Sequence, residues 1–274
     1  MARFTTSDGI SLHYEDTGTG LPILCLAGLT RNARDFDFVA AHLADNRLIR
    51  LDYRGRGQSD WAEDYTTYSI PREAQDVLEL LDHLGLDQVA ILGTSRGGLI
   101  AMVLAATAKD RLLGVALNDV GPELNMNGLT AIMGYLGLHP DAKTMAEFVA
   151  HRAAMPGFDN VSPERWAQEA THTYVETPEG VQINYDPKLR DAVIATLTRE
   201  DAPDLWPLFQ AIAPLPCAVI HGVNSDLLTS GAVDEMAAQM PGLIVAHVAD
   251  RAHVPFLDEP EALDALNAWL KELT

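Results

Sequence analysis

The chain has 274 residues, 47% of them hydrophobic, and a formal charge of −20. That length fits one large domain or one domain carrying an insertion, with enough apolar side chains for a sizeable core. The charge argues against nucleic acid and anionic membrane surfaces as partners. No apolar stretch reaches transmembrane length, and the start, Met-Ala-Arg-Phe-Thr-Thr-Ser-Asp, carries no signal-peptide apolar region. Cys25 and Cys217 sit in apolar runs and read as small core residues rather than a disulfide. A cytoplasmic location is the expectation.

In chain order, residues 3–6 and 10–15 read as two strands around the turn signal Asp8-Gly9. Residues 22–26 form a short apolar strand followed by the loop Ala27-Gly28-Leu29-Thr30, and residues 32–43 carry a helical stripe at 36, 39, 40 and 43. Residues 48–51 read as a buried strand leading into Asp52-Tyr53-Arg54-Gly55-Arg56-Gly57-Gln58-Ser59. A helix starts near Ser69 with Pro71 in its first turn, shows Ala74, Val77, Leu78, Leu81 and Leu84 on one face, and stops at Gly85.

Next comes the stretch that carries chemistry. Four apolar residues, 89–92, suit a strand buried on both faces, and the small and apolar residues after Gly98 suit a buried helix. Between them lies Gly93-Thr94-Ser95-Arg96-Gly97, a Gly-x-Ser-x-Gly turn between strand and helix. Glycine is needed on both sides of the serine because a Cβ would collide with neighbouring backbone in so tight a turn. Residues 112–117 add a further strand.

Strands alternating with helices indicate a mostly parallel, doubly wound sheet. The alternation stops near Pro122 and resumes after Ile212. Candidate helices at 129–136, 144–154, 163–174, 188–197 and 204–212 fill the gap, with no convincing buried strand among them. The expected organisation is a core of residues 1–121 and 213–274 with a helical lid inserted at 122–212. Its methionines and aromatics would cover an apolar site, with Trp166 as the expected substrate contact. A strand at 217–221, a helix at 230–240, a strand at 243–248 and a helix at 260–273 complete the chain.

A serine hydroxyl needs a general base, and the base needs an acid to fix its tautomer. Such groups collect in loops at the carboxyl ends of parallel strands. Of the nine histidines, His253 is the one placed just after the last strand and before the last helix. For the acid, Asp226 follows the strand at 217–221 and Asp119 follows the strand at 112–117; the chain order Ser…Asp…His favours Asp226. Asp52, beside Arg54 and two glycines, reads as the organiser of its own loop. Two backbone N–H groups, of Leu29 and of Arg96, are placed to hold an oxyanion. The Arg96 guanidinium has two readings. It either pairs with an acidic residue or, with Arg31, receives a substrate carboxylate.

With Gly93-Thr94-Ser95-Arg96-Gly97-Gly98, Asp52 to Ser59, Asp226 and His253 in place, the chain resembles a member of the α/β-hydrolase superfamily with a helical cap. Ala27-Gly28 stands where the family often has His-Gly, which leaves the backbone donor intact. A serine rather than an aspartate at the elbow argues against haloalkane dehalogenase and epoxide hydrolase chemistry. The resemblance implies a serine hydrolase of a small carboxylic ester or lactone. The alternatives are a carbon–carbon bond hydrolase of a ring-cleavage product and a catalytically silent ligand-binding protein of the same fold. No metal or cofactor is expected, since no His/Asp/Glu cluster has metal-ligand spacing. The expected partner is the small substrate alone, with a homodimer compatible.

Overall fold

The computed structural model describes residues 2–198 and 204–273. Eight strands form one sheet in the order β1-β2-β4-β3-β5-β6-β9-β10. β1 (Ala2–Thr5) and β2 (Ser11–Thr17) form the expected hairpin, antiparallel to each other, and β2 runs antiparallel to β4 (Arg47–Leu51). From β4 onward every pairing is parallel: β3 (Pro22–Leu26), β5 (Val89–Thr94), β6 (Leu112–Asn118), β9 (Cys217–Gly222) and β10 (Ile244–Val248).

The central strands are apolar throughout because both faces are covered. Successive residues of β3 enter opposite cores. Leu24 and Leu26 face one, while Ile23 and Cys25 face the other. β5 does the same, with Val89 and Ile91 on the first side and Ala90 and Leu92 on the second. The first core is closed by α2 (Ile70–Leu84), α3 (Arg96–Thr107) and α9 (Ser230–Gln239), the second by α10 (Pro260–Glu272) and the turns at 33–43. Cys25 and Cys217 are buried free thiols.

α2 ends as its sequence requires: Gly85 takes φ 64, and its N–H reaches the carbonyls of Leu81 and Asp82. The stripe at 32–43, expected as one helix, instead forms a 3₁₀ turn (Ala33–Phe36), the short α1 (Asp37–Ala40) and a second 3₁₀ turn (Ala41–Leu43). The side chain of Asn32 accepts from Arg34 N, and Asp52 Oδ1 accepts from Ala33 N. The chain is thereby drawn tight at its start, while Phe36, Val39 and Leu43 still reach the core.

Between β6 and β9 lie α4 (Met126–Tyr135), α5 (Met145–Ala153), α6 (Pro163–Thr173), α7 (Leu189–Leu197) and α8 (Trp206–Gln210). This segment also contains a hairpin that periodicity did not reveal, β7 (Tyr174–Thr177) with β8 (Gly180–Ile183). Its strands have four residues each, too short for a period-2 signal, and the cue is the Pro178-Glu179 turn. Two apolar clusters hold the segment together. One gathers Phe148, Phe158 and Trp166 with Phe256 of the core, and the other Tyr68, Leu136, Tyr185 and Leu189. Among the described residues, no helix is long and apolar enough to cross a membrane.

Beneath the loop that follows β4 lies a buried ionic network. Asp52 accepts from Ala33 N, Gln58 N and His13 Nδ1, organising the loop as its sequence suggested. Arg54 pairs with Asp76 and Asp8. Glu73 of α2, fully buried, holds Arg56 at 2.7 Å through Oε1 and Arg96 at 2.5 Å through Oε2. Burial alone would raise the Glu73 pKa, but the two guanidinia draw it below its ordinary value. Replacing Glu73 by Ala leaves two buried cations facing each other, and urea unfolding should record a loss of about 3–5 kcal/mol.

Candidate active site

Ser95 lies between β5 and α3 with φ 49 and ψ −111, a conformation an L-residue adopts only under constraint. The constraint is the flanking glycines. A Cβ at Gly97 would lie 2.0 Å from Leu26 O of β3, and one at Gly93 would lie 2.6 Å from Gly97 C. Only bare backbone allows the helix to start this close to the sheet. Ser95 Oγ then points away from the core toward the loop after β10.

His253 sits in that loop, with Nε2 3.0 Å from Ser95 Oγ. The loop is tied to the sheet by Asn118, whose Nδ2 donates to Pro255 O at 3.1 Å. His253 Nδ1 lies 2.7 Å from Asp119 Oδ2. A carboxylate at Nδ1 fixes the tautomer that carries its proton there, leaving the Nε2 lone pair toward the serine hydroxyl.

Asp119, and not Asp226, occupies the position expected of the acid. β6, which ends at Asn118, is the sheet neighbour of β5, so Asp119 emerges directly beside Ser95. It takes φ 53 and is wholly buried. Its Oδ1 accepts from Gly222 N at 2.8 Å, and its Oδ2 accepts from Ser225 Oγ at 2.6 Å as well as from His253. The loop after β9 is thus turned by Ser225, whose Oγ also accepts from Leu227 N and Leu228 N. That turn leaves Asp226 exposed, with its backbone carbonyl accepting from Gly128 N. Both acids obey the same chain order, so strand adjacency decides between them.

The loop after β3 passes close by. A Cβ at Gly28 would stand 3.9 Å from Ser95 Cβ. Tyr53 OH donates to Ala27 O, and Arg56 Nε donates to Leu29 O at 2.9 Å, which holds this loop in place. Among the described residues neither Leu29 N nor Arg96 N has a hydrogen-bond acceptor. Arg96 N also stands at the N-terminus of α3, where the helix dipole favours negative charge.

The side chains expected to touch substrate have partners within the protein. Arg96 is 8% exposed and engaged by Glu73 and by Tyr68 O, so its guanidinium is an ion-pair partner of α2. Arg31 flanks Gly28, but its guanidinium is held by Asp35 at 3.1 Å and Glu169 at 3.6 Å. Trp166 packs edge-on against Phe158 and Phe256, inside the inserted segment rather than at the serine.

Asp35, Glu169 and His172 come together without any sequence spacing to announce it, their ligand-type atoms within 4.8 Å of one another. This donor set would suit a divalent cation, yet the positive charge there is already supplied by the Arg31 guanidinium. Burial and the neighbouring Glu169 push the Asp35 carboxyl up to about 7 against the pull of Arg31. Burial lowers His172 to about 4.

Eight mostly parallel strands, a strained serine at the strand–helix turn and a histidine supported by a buried aspartate define an α/β-hydrolase. The sequence comparisons agree. A profile for the alpha/beta hydrolase fold matches residues 22–147. The chain is 35% identical over 252 residues to a 3-hydroxybutyrate-oligomer hydrolase of Cupriavidus necator, covering 87% of this chain and 84% of that protein. It is 25% identical over 249 residues to a 2-(acetamidomethylene)succinate hydrolase of Mesorhizobium japonicum, covering 89% and 85%. A crystal structure of an alpha/beta hydrolase from Novosphingobium aromaticivorans superposes with a TM-score of 0.92 at 35% identity over 99% and 97% of the two chains. The chain belongs to the α/β-hydrolase superfamily and is an enzyme of the hydrolase class.

Two outcomes follow from this geometry. Asp119→Asn should lower kcat by about 10⁴-fold in steady-state assays while the fold persists, because the His253 tautomer is lost. Asp226→Asn should cost far less. The second outcome concerns pH. Folded Asp35 keeps its proton up to about 7, whereas the unfolded carboxyl releases it near 3.8. The stability carried by the protonated form is therefore complete below the unfolded value and lost as pH rises through 7. Denaturation series on wild type and Asp35→Asn should show the wild-type advantage shrinking across that window, by up to about 1.4 kcal/mol per pH unit.

Proposed function

We propose that the protein hydrolyses a small carboxylic ester through an acyl-enzyme on Ser95. The observation that carries this reading is the hydrogen-bonded line Ser95–His253–Asp119, at 3.0 and 2.7 Å, beside two backbone N–H groups with no acceptor among the described residues. Ser95 Oγ attacks the carbonyl carbon while His253 Nε2 takes the hydroxyl proton. The carbonyl oxygen becomes an oxyanion held by Leu29 N–H and Arg96 N–H. Collapse breaks the bond to the alcohol oxygen, which leaves with the proton from His253. Water, deprotonated by the same nitrogen, then attacks the acyl-serine, and the acid departs with Ser95 restored. Asp119 orients His253 and offsets the charge it gains.

The described residues of the segment between β6 and β9 act in this scheme as a lid that excludes water and shapes the substrate cleft. The relative from Cupriavidus necator, named for oligomers of 3-hydroxybutyrate, supports an ester made between hydroxy acids as the substrate type. 4-Nitrophenyl butyrate with Ser95→Ala as control tests the reading. Wild type should turn over and should be labelled at Ser95 by a fluorophosphonate probe, and the variant should lose at least about 10³-fold in kcat. Equal rates in both proteins would remove the claim.

A further inference from the structure

β6 carries only apolar residues and glycine from 112 to 117, then ends on an amide, Asn118, which is 1% exposed. Burying an amide is costly unless hydrogen bonds compensate it, so its partners explain its presence. In the β5–β6 ladder it stands opposite Thr94. Its backbone carbonyl accepts from Ser95 N at 2.9 Å, and the next residue is Asp119. Its side-chain Nδ2 donates to Pro255 O at 3.1 Å and to Thr94 Oγ1 at 3.2 Å. A peptide carbonyl has no proton to give, so only the NH2 end of the amide can face Pro255 O. Oδ1 gains no partner among the described residues from this orientation. The amide is set by the His253 loop.

That loop has little else to aim it. β6 and β9 stand between β5 and β10, so no strand pairing fixes His253 against Ser95. Among the described residues, the bond to Asn118 is the one hydrogen bond made by the backbone of residues 252–255. Val254 and Phe256 are buried and keep the loop on the core, but apolar contact is not directional. Ser95 is fixed by the turn between its glycines, and Asp119 by Gly222 N and Ser225 Oγ. The histidine is therefore the member of the three whose place depends on a side chain from another strand. That side chain belongs to the residue before the acid, and its backbone carbonyl holds the nucleophile.

We propose that Asn118 is a positioning residue that keeps His253 Nε2 in line with Ser95 Oγ. The inference rests on the ester-hydrolase reading. Asn118 makes no bond and moves no proton in that reaction; it acts through the His253 loop. Loss of its NH2 frees Pro255 O and lets the imidazole drift from its 3.0 Å contact with the serine. A displacement of about 1 Å at such a contact is worth about 10²-fold in rate. Proton transfer by His253 serves both acylation and deacylation, so the two steps slow together while ester binding is spared.

Asn118→Asp keeps the shape and puts an oxygen in place of the NH2, and Asn118→Ala removes the amide without adding charge. Below their unfolding temperatures, both should lower kcat for 4-nitrophenyl butyrate about 10²-fold, with KM within about 3-fold of wild type. Thr94→Val, which removes only the other acceptor of Nδ2, should cost less than either. A merely structural amide would shift Tm and leave the kcat of folded enzyme near wild type. That result, a loss through KM alone, or a Thr94→Val loss equal to that of Asn118→Ala overturns the proposal. Should both Asn118 variants fail to fold, isotope-labelled wild type carries the test by NMR. Slow exchange of the Asn118 Nδ2 protons is expected, and exchange at the rate of a free amide overturns the tie. Failure of the underlying reading looks different: wild type would then cleave the ester no faster than Ser95→Ala.

Discussion

The structure depends on one close approach, the backbone of Gly97 against the carbonyl of Leu26. α3 can start this near β3 only because neither Gly93 nor Gly97 has a Cβ, and the residue caught between them is driven to φ 49. The strain lifts Ser95 out of the core and aims it at the His253 loop. It also directs the first N–H of α3 to where an oxyanion would form. In the proposed reaction, nucleophile and electrostatic support are therefore one piece of local geometry.

Such a turn persists only where its surroundings over-determine it. Here that support is ionic as well as apolar. Glu73 ties Arg96, the residue after the serine, to Arg56, and Arg56 also holds Leu29 O. One buried carboxylate of α2 thus links both sides of the proposed oxyanion site to the loop after β4. The arginine beside the serine is explained by this tie, which uses its side chain for structure and leaves its backbone N–H free.

The inserted segment is joined to the core by polar contacts as well as by the Phe158–Phe256 stack. Arg165 of α6 pairs with Asp258, Asp250 accepts from Asp159 N and Asn160 N, and Asn32 donates to His172 O. Asp250 and Asp258 both lie on the segment that carries His253.

What the sequence by itself determined is whatever local pattern governs. Apolar runs bounded by glycine became strands with two buried faces, Gly85 stopped α2, and Gly-x-Ser-x-Gly placed Ser95 at a strained turn. His253 was legible because it falls between the last strand and the last helix. The β7–β8 hairpin escaped because four-residue strands carry too little periodicity. Tertiary structure alone decided the rest. Asp119 and Asp226 both follow a strand in the right chain order, and only the adjacency of β6 to β5, with the Ser225 turn, brings Asp119 to the histidine. Arg96 could have faced a substrate until α2 supplied Glu73. Which acid pairs with which arginine depends on how distant segments pack, because pairing acts through space rather than along the chain.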